Sequence, residues 1–424
     1  MEKLFKFGKT IRNNWKKSVV GVIALYYGAG KAKEKYEINL VMHAACKEAS
    51  KYGDALIPME RNPTLVTVIL NPVANKRKAK KEFEKYCEPL LHLAGLQVDV
   101  VHTTSEGSAK EIVESLRGTE AIIVAGGDGT LSETVTGLLR RNDDANQFPL
   151  GVLPLGRTNM FGDSLFPGGK GVAKVKQLVD ACMAIIEGNT VWKDAMKIEP
   201  IPMEHDETPS RPIFALSSIE WGAFRDSQAK KDKYWFYGPW REHASYLFNG
   251  YKDSLTWNCS GIIKYTPPCA GCSNCVERKP EVKKKWLFFV SNSNVAHDTD
   301  HTKTVNPECR KSQEICFKTC DFIIHTNNNA QSLFTMPTIS IMLGKNSYSY
   351  TDFVSEGWDR IRSKQRALGA ISARTIELIP NKPKQDEMIE IDKEEFEVKP
   401  IKITLMPKIV KLYCKSDDKL KLLN

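Results

Sequence analysis

Long apolar runs are scarce in this chain. The uncharged stretch at residues 18–30 (SVVGVIALYYGAG) has thirteen residues, which as a helix reach about 20 Å against a hydrocarbon core of about 30 Å. Length alone therefore argues against a stable membrane span. Acid is equally scarce ahead of it: Lys3, Lys6, Lys9, Arg12, Lys16 and Lys17 are opposed only by Glu2. No small-x-small cleavage site leads into a disulfide-rich domain, which argues against a secretory signal. A mitochondrial targeting element, an interfacial helix and a weak membrane anchor all remain open. RRM, zinc-finger and helix-turn-helix patterns are also missing. The net charge of +10, from 61 Lys and Arg against 51 Asp and Glu, thus points to ATP or anionic lipid as the anionic partner and not to nucleic acid.

At 424 residues and 42% hydrophobic content the chain can bury two cores. Residues 1–60 read as the basic, membrane-associating segment. Residues 61–197 alternate strand and helix: strands at 65–70, 98–102, 121–125 and 150–154, with helices between them and across 175–186. That alternation predicts an α/β domain, a parallel sheet with helices on both faces and ligands at the carboxyl ends of its strands. Residues 198–424 turn β-rich, with runs at 213–218, 286–291, 315–326, 338–343, 375–379, 402–406 and 410–414, and predict an antiparallel β-sandwich with a cysteine-containing insert at about 258–322.

The decapeptide 121–130, AIIVAGGDGT, carries the most chemistry. An apolar strand breaks at Gly126, Gly127 and Gly129 and restarts as a helix. Such a turn lets main chain approach a phosphate without Cβ interference, the helix N-terminus adds a favourable dipole, and Asp128 supplies a carboxylate for Mg²⁺ or a proton. A plain tight turn is the competing account. Two further strand ends lead into similar loops: residues 71–78 (NPVANKRK), where Lys76 and Lys78 are either counter-charges or an ordinary solvated helix face, and residues 150–156 (LGVLPLG), followed by Arg157 and Asn159.

Asn71-Pro72, the turn at 126–130, Pro154-Leu-Gly156 with Asn159, Trp221-Gly222 with Asp226, Lys233-Tyr234, and Asp392-Lys393-Glu394 in place of an Asp-Gly-Glu occur in this order. Together they resemble the diacylglycerol kinase and sphingosine kinase superfamily. Residues 13–17 (NNWKK), 90–95 (LLHLAG), 221–226 (WGAFRD), 233–235 (KYW) and Gly238-Pro239 resemble its mitochondrial acylglycerol kinase family. The resemblance implies ATP- and Mg²⁺-dependent phosphorylation of monoacylglycerol and diacylglycerol to lysophosphatidic and phosphatidic acid, in a cleft between two lobes. It implies nucleotide contacts from Asn71, Lys76, Lys78, Thr103, Gly126, Gly127, Gly129, Thr130, Gly156, Asn159 and Arg241. It also implies Mg²⁺ at Asp128 and Asp392, acid–base or positioning roles for Asp128, Glu394 and Asp226, and lipid contacts from Asp226 and Gln228. Location at the mitochondrial inner membrane facing the intermembrane space, and kinase-independent membership of the inner-membrane carrier translocase, follow from the same resemblance. The residue-level alternatives are a solvated hairpin turn at 392–395 and an ion pair between Asp226 and Arg225 or a neighbouring Lys.

Several positions depart from the superfamily: Arg157 replaces Thr or Ser, Met160 an Asp, Trp235 an Arg, and Gln228 the second acid with which sphingosine kinases meet a lipid head group. Loss of that acid disfavours a sphingoid ammonium. Sphingosine or ceramide kinase is the alternative, and an NAD kinase- or phosphofructokinase-like enzyme, which shares the Gly-Gly-Asp-Gly turn, a more distant one. Phosphoryl transfer asks mainly for positioning and charge stabilisation, which these loops and acids offer.

Of the eleven cysteines, Cys269, Cys272, Cys275, Cys309, Cys316 and Cys320 cluster, as successive C-x-x-C steps and a second group. They offer structural Zn²⁺, disulfides or free thiols. Residues 277–285 and 296–304 read as solvated loops in spite of the two His residues beside Asp298 and Asp300. Residues 234–237 (YWFY) with Trp240 line a lipid entrance, touch a membrane or belong to a core.

Overall fold

The computed structural model describes residues 15–54, 63–141, 143, 148–202, 211–250, 259–269, 272, 305–307, 309, 311–328, 336–362, 370–381 and 387–415. Helix α1 (Trp15–Gly53) takes the uncharged stretch and the charged residues after it into one 39-residue rod, about 58 Å long at 1.5 Å per residue. Its far end packs through Ala45 and Ala49 into a core with Leu90, Leu91 and Leu178. The near end stands in solvent, with Leu25 and Tyr26 exposed at 74% and 82%. No helix among the described residues is long and apolar enough to cross a membrane.

The chain then runs β1 (Leu65–Leu70), α2 (Glu88–Leu93), β2 (Gln97–His102), α3 (Ser108–Ser115), β3 (Ala121–Gly126), α4 (Asp128–Leu139), β4 (Leu150–Pro154), α5 (Met160–Leu165) and α6 (Val172–Glu187). Strands β2-β1-β3-β4 are parallel neighbours. Alternate residues of β3 serve opposite faces: Ala121, Ile123 and Ala125 meet α1, α2 and α6, whereas Ile122 and Val124 meet α3 and α4. A strand buried on both sides has no polar face to show, which is why β3 reads as an unbroken apolar run.

Strands β5 (Thr190–Pro200), β6 (Ile213–Ala215) and β7 (Ser218–Gly222) lead into α7 (Ala223–Ala229) and α8 (Arg241–Asn249). After them come β8 (Cys259–Thr266), β9 (Gln313–Thr319), β10 (Asp321–Thr326), β11 (Ile339–Leu343), α9 (Tyr350–Ile361), β12 (Ala370–Ala373), β13 (Thr375–Pro380), β14 (Met388–Ile391), β15 (Glu394–Glu397) and β16 (Ile401–Tyr413). Six strands form an antiparallel sheet, β12-β11-β10-β7-β14-β15. It packs on β5, β8, β13 and β16 through a shared core of Met196, Ile263, Ile376 and Ile403 against Ile219, Trp221, Phe322 and Ile341.

Two strand expectations change. The runs at 402–406 and 410–414 are one strand, β16, with an irregularity between Met406 and Val410 and a left-handed Lys408 at φ 50°. Through Leu412↔Leu150 it also pairs beside β4, so the parallel strands and the C-terminal strands share one sheet, β2-β1-β3-β4-β16-β13-β8-β9. The run at 315–326 is two strands in different sheets, β9 and β10, with the corner at buried Cys320. A chain that switches sheets at a corner keeps both halves apolar, and hydrophobicity alone does not mark the bend. The run at 286–291 lies outside the described residues.

Candidate active site

Strands β3 and β4 end side by side, and their loops are stitched backbone to backbone. Leu155 and Gly156 both donate N–H to the Gly126 carbonyl, at 2.9 and 2.8 Å, and Asp128 N–H reaches the Thr158 carbonyl at 3.1 Å. A Cβ on Gly156 would lie 2.2 Å from Gly127 Cα, and one on Gly127 2.9 Å from the Thr158 oxygen. These two glycines therefore allow the loops to touch, a requirement the sequence reading did not include. A Cβ on Gly126 would meet Thr130 Oγ1 at 2.7 Å. That hydroxyl accepts from Asn71 Nδ2 at 3.2 Å, and the Asn159 amide closes its own loop by bonding Gly156 N at 2.8 Å and Gly156 O at 2.9 Å. Asn71, Gly126, Gly127, Thr130, Gly156 and Asn159 thus meet at the ends of three neighbouring strands.

Asp128, first residue of α4, is buried and caps α5: its two oxygens accept from Met160 N–H at 2.9 Å and Phe161 N–H at 3.2 Å. Burial raises its pKa against those hydrogen bonds and the nearby Lys393 charge. Asp392 faces the same crevice from the β14–β15 turn. It accepts N–H from Leu216 at 2.6 Å and from Ser217 and Ser218 at 2.9 Å, yet burial still pushes its carboxyl up to about 6, with Asp128 adding repulsion. Glu394, one residue past the turn, packs on α4, where a Gly129 Cβ would stand 3.1 Å from its Oε1. Burial, then repulsion from Glu133, Glu106 and Asp392, pushes Glu394 up to about 8. Asp128, Asp392, Lys393, Leu131, Met160 and Phe161 line a crevice with room for about 10 Å³, one water. A shallow hollow of about 400 Å³ between α1 and the start of α6, lined by Lys33, Glu34 and Lys170, contains none of these carboxylates.

The hairpin turn itself is Asp392-Lys393, both left-handed at φ 45° and 72°, the geometry of a two-residue type I′ connection. Lys393 occupies the place where the superfamily's Gly would adopt that conformation freely. Its ammonium donates to Glu220 at 2.8 Å and Glu390 at 2.6 Å. Burial opposes the charge, but the two carboxylates outweigh it and hold the lysine protonated. Glu220, Glu390 and this anchoring were not legible as a site, since nothing in the sequence marks residues 220 and 390 as neighbours.

The remaining expected residues lie around this centre. Thr103 follows β2 directly, its N–H bonded to the Leu70 carbonyl at 3.0 Å. Lys76 and Lys78 are exposed after β1, Lys76 on a left-handed run with Asn75 and Arg77 at φ 50–66°; consecutive non-glycine residues in that region are a strained feature associated with function. Asp226 pairs with Arg225 at 2.9 Å, the bland alternative for that residue. The same guanidinium bonds Glu395 and lies 3.7 Å from Glu390, tying Asp226 to the hairpin. Gln228 is half-buried, and its Oε1 has no hydrogen-bond partner among the described residues. Arg241 does not stand free for a nucleotide: its Nη1 lies 3.4 Å from Asp232, whose other oxygen meets Arg157 at 2.6 Å. Arg157, a departure from the superfamily, thus links the β4 loop to the segment before α8.

The six cysteines divide. Cys269, Cys272 and Cys309 gather with their sulfurs within 4.8 Å of one another. Cys316 is exposed on β9 and Cys320 is buried at the sheet corner, its thiol donating to the Asn346 carbonyl at 3.1 Å; Cys275 lies outside the described residues.

Asp128 and Asp392 line one crevice with raised pKa values and mutual repulsion, and Glu394 repels Asp392 from one residue past the turn; a hard divalent cation would relieve that repulsion. The chain is similar to known lipid kinases along most of its length. Residues 65–198 match the diacylglycerol kinase catalytic domain and residues 216–424 the acylglycerol kinase C-terminal domain. The mitochondrial acylglycerol kinase of Homo sapiens is 34% identical over 96% of each chain, and that of Xenopus laevis 33% identical over 100% of this chain and 98% of its own. Sphingosine kinase 1 of Arabidopsis thaliana is 29% identical over 46% of this chain. A putative diacylglycerol kinase from Bacillus anthracis str. Sterne superposes with a TM-score of 0.52 at 14% identity, over 84% of this chain and 98% of its own, a likeness of fold. Full-length similarity and both matched domains make this chain a member of the acylglycerol kinase family, and a lipid kinase.

Proposed function

We propose that the enzyme transfers the γ-phosphoryl group of ATP to the free hydroxyl of monoacylglycerol and diacylglycerol, giving lysophosphatidic and phosphatidic acid. The observation that carries this reading is Glu394, a carboxylate pushed up to about 8 against the helix that opens at Asp128. A base with such a pKa takes a proton from an attacking hydroxyl near neutral pH. Asp128 and Asp392 would hold Mg²⁺, which when bound offsets the charge of the transferring phosphoryl group. Asn71, Thr103, Gly126, Gly127, Gly129, Thr130, Gly156 and Asn159 bind and orient the nucleotide, with the exposed Lys76 and Lys78 as counter-charges; Arg241 would first have to leave Asp232 to join them. Asp226 and Gln228 meet the glycerol head group. An amide there suits a neutral head group better than an ammonium.

The relatives' names support a mitochondrial location for this chain. The solvent-facing half of α1, with Leu25, Tyr26 and Tyr27 exposed, offers a surface for the inner membrane on the intermembrane-space side or for carrier translocase subunits, a role independent of phosphoryl transfer.

The test is incubation with Mg²⁺, γ-labelled ATP and monoacylglycerol, diacylglycerol, ceramide or sphingosine in mixed micelles. Label in lysophosphatidic or phosphatidic acid is expected; label confined to a sphingolipid overturns the substrate assignment. Gly126→Glu is a poor inactive control because its side chain would displace Thr130. Glu394→Gln keeps the shape and is the better one.

A further inference from the structure

No cysteine lines the crevice of Asp128 and Asp392, and the position of the cysteine trio is informative. Strands β8 and β9 pair antiparallel from Cys259↔Thr319 to Tyr265↔Gln313. Cys269 follows the end of β8 and Cys309 precedes the start of β9, so the thiols close the neck of the long connection between these strands. Cys272 is buried, the three sulfurs lie within 4.8 Å of one another, and Asn306 Nδ2 donates to the Cys269 sulfur at 3.4 Å. Tetrahedral zinc with Zn–S bonds of about 2.3 Å sets sulfurs about 3.8 Å apart, a contraction of about 1 Å or less from this arrangement. The donor from Asn306 is the kind of outer contact that orients a metal-bound thiolate.

We propose that Cys269, Cys272 and Cys309 supply three of the four ligands of a soft divalent metal ion of the zinc class, with water or a further donor at the fourth position, as a structural clip at the neck of the β8–β9 connection. Three mutually close thiols suit a metal better than a disulfide, which would pair two and strand the third. The clip has a physical purpose. Strand β9 ends the ten-stranded sheet among the described residues, and closing a long connection costs entropy that an edge strand recovers only from one side. Binding converts each thiol to thiolate and releases its proton to solvent, so affinity rises with pH.

The test uses the full chain, purified in reductant without chelator. Metal analysis is expected to find about one zinc per chain, and cobalt replacing it is expected to give an intense thiolate-to-metal charge-transfer band. Cys309→Ser and Cys269→Ser should lower metal content at least tenfold, while Cys316→Ser, exposed on β9, keeps it. Thiol titration after denaturation in chelator should count all eleven cysteines. Reduced protein that neither carries zinc nor takes up added Zn²⁺ would overturn the proposal without reliance on any variant. Full metal content in both Ser variants would do so as well.

Discussion

Glu394 owes its raised pKa to burial first and to its acidic neighbours second, and both its chemistry and its effect on stability follow. A folded-state value near 8 against an ordinary 4.5 means the folded protein binds this proton more tightly than the unfolded chain. Stability therefore falls as pH rises from about 4.5 to about 8 and levels off above. Glu394→Gln removes that loss, so its melting temperature without nucleotide should exceed the wild type's at pH 8 and match it at pH 4, as read by calorimetry. Activity should move the other way, with kcat down about 10²–10⁴-fold. Gly156→Ala belongs to this scale too. Its new methyl meets Gly127 Cα at 2.2 Å, and forcing the two loops apart should cost about 1–3 kcal/mol, measurable by urea unfolding, with activity lost alongside.

Among elements, the β14–β15 hairpin matters most, because its turn presents Asp392 to the crevice and sets Glu394 against α4 at Gly129, one on each side of Lys393. Lys393→Asn supplies a residue that accepts φ 72° but leaves Glu220 and Glu390 without the ammonium between them. The variant should lose about 1–3 kcal/mol of stability, and adding Glu220→Gln with Glu390→Gln should recover most of it. A merely conformational lysine would instead give an Asn variant at least as stable as the wild type. The hairpin also marks how far the sequence could be read. Strands β3 and β4 were legible because a strand buried on both faces is apolar throughout, and the Gly126–Gly129 turn because it breaks an apolar strand and restarts as a helix. Asp392 and Glu394 were legible as a pair, by likeness to a motif. What stayed hidden depends on tertiary pairing: Lys393 between acids from β7 and β14, Arg157 joined to Arg241 through Asp232, and β16 crossing into the parallel sheet. None of these has a local period or composition to betray it.

The molecule as a whole carries its exposed aromatic residues unevenly. Trp235, Phe236 and Trp240 are exposed at 75, 62 and 66%; Trp235 meets Phe236, Phe236 meets Tyr237 and Tyr237 meets Phe248, while Trp240 meets His243, with Lys230 and Lys233 beside them in the chain. They lie on the segment that Asp232 ties to the β4 loop. Amphipathic rings flanked by lysines suit an anionic bilayer interface. Trp235→Ala with Phe236→Ala should therefore cut turnover of vesicle-borne diacylglycerol about tenfold or more while leaving a water-soluble short-chain substrate nearly unaffected; equal loss on both would make the patch part of the fold.

The most direct measurement on the central claim is the pH dependence of kcat/KM for monoacylglycerol, in wild type and Glu394→Gln. With Glu394 as base, the wild-type profile rises about tenfold per pH unit toward an inflection near 8, the value of the free enzyme's carboxyl, and the variant is slow and flat across that range. A Glu394→Gln enzyme that keeps both the wild-type rate and the wild-type inflection would contradict the account.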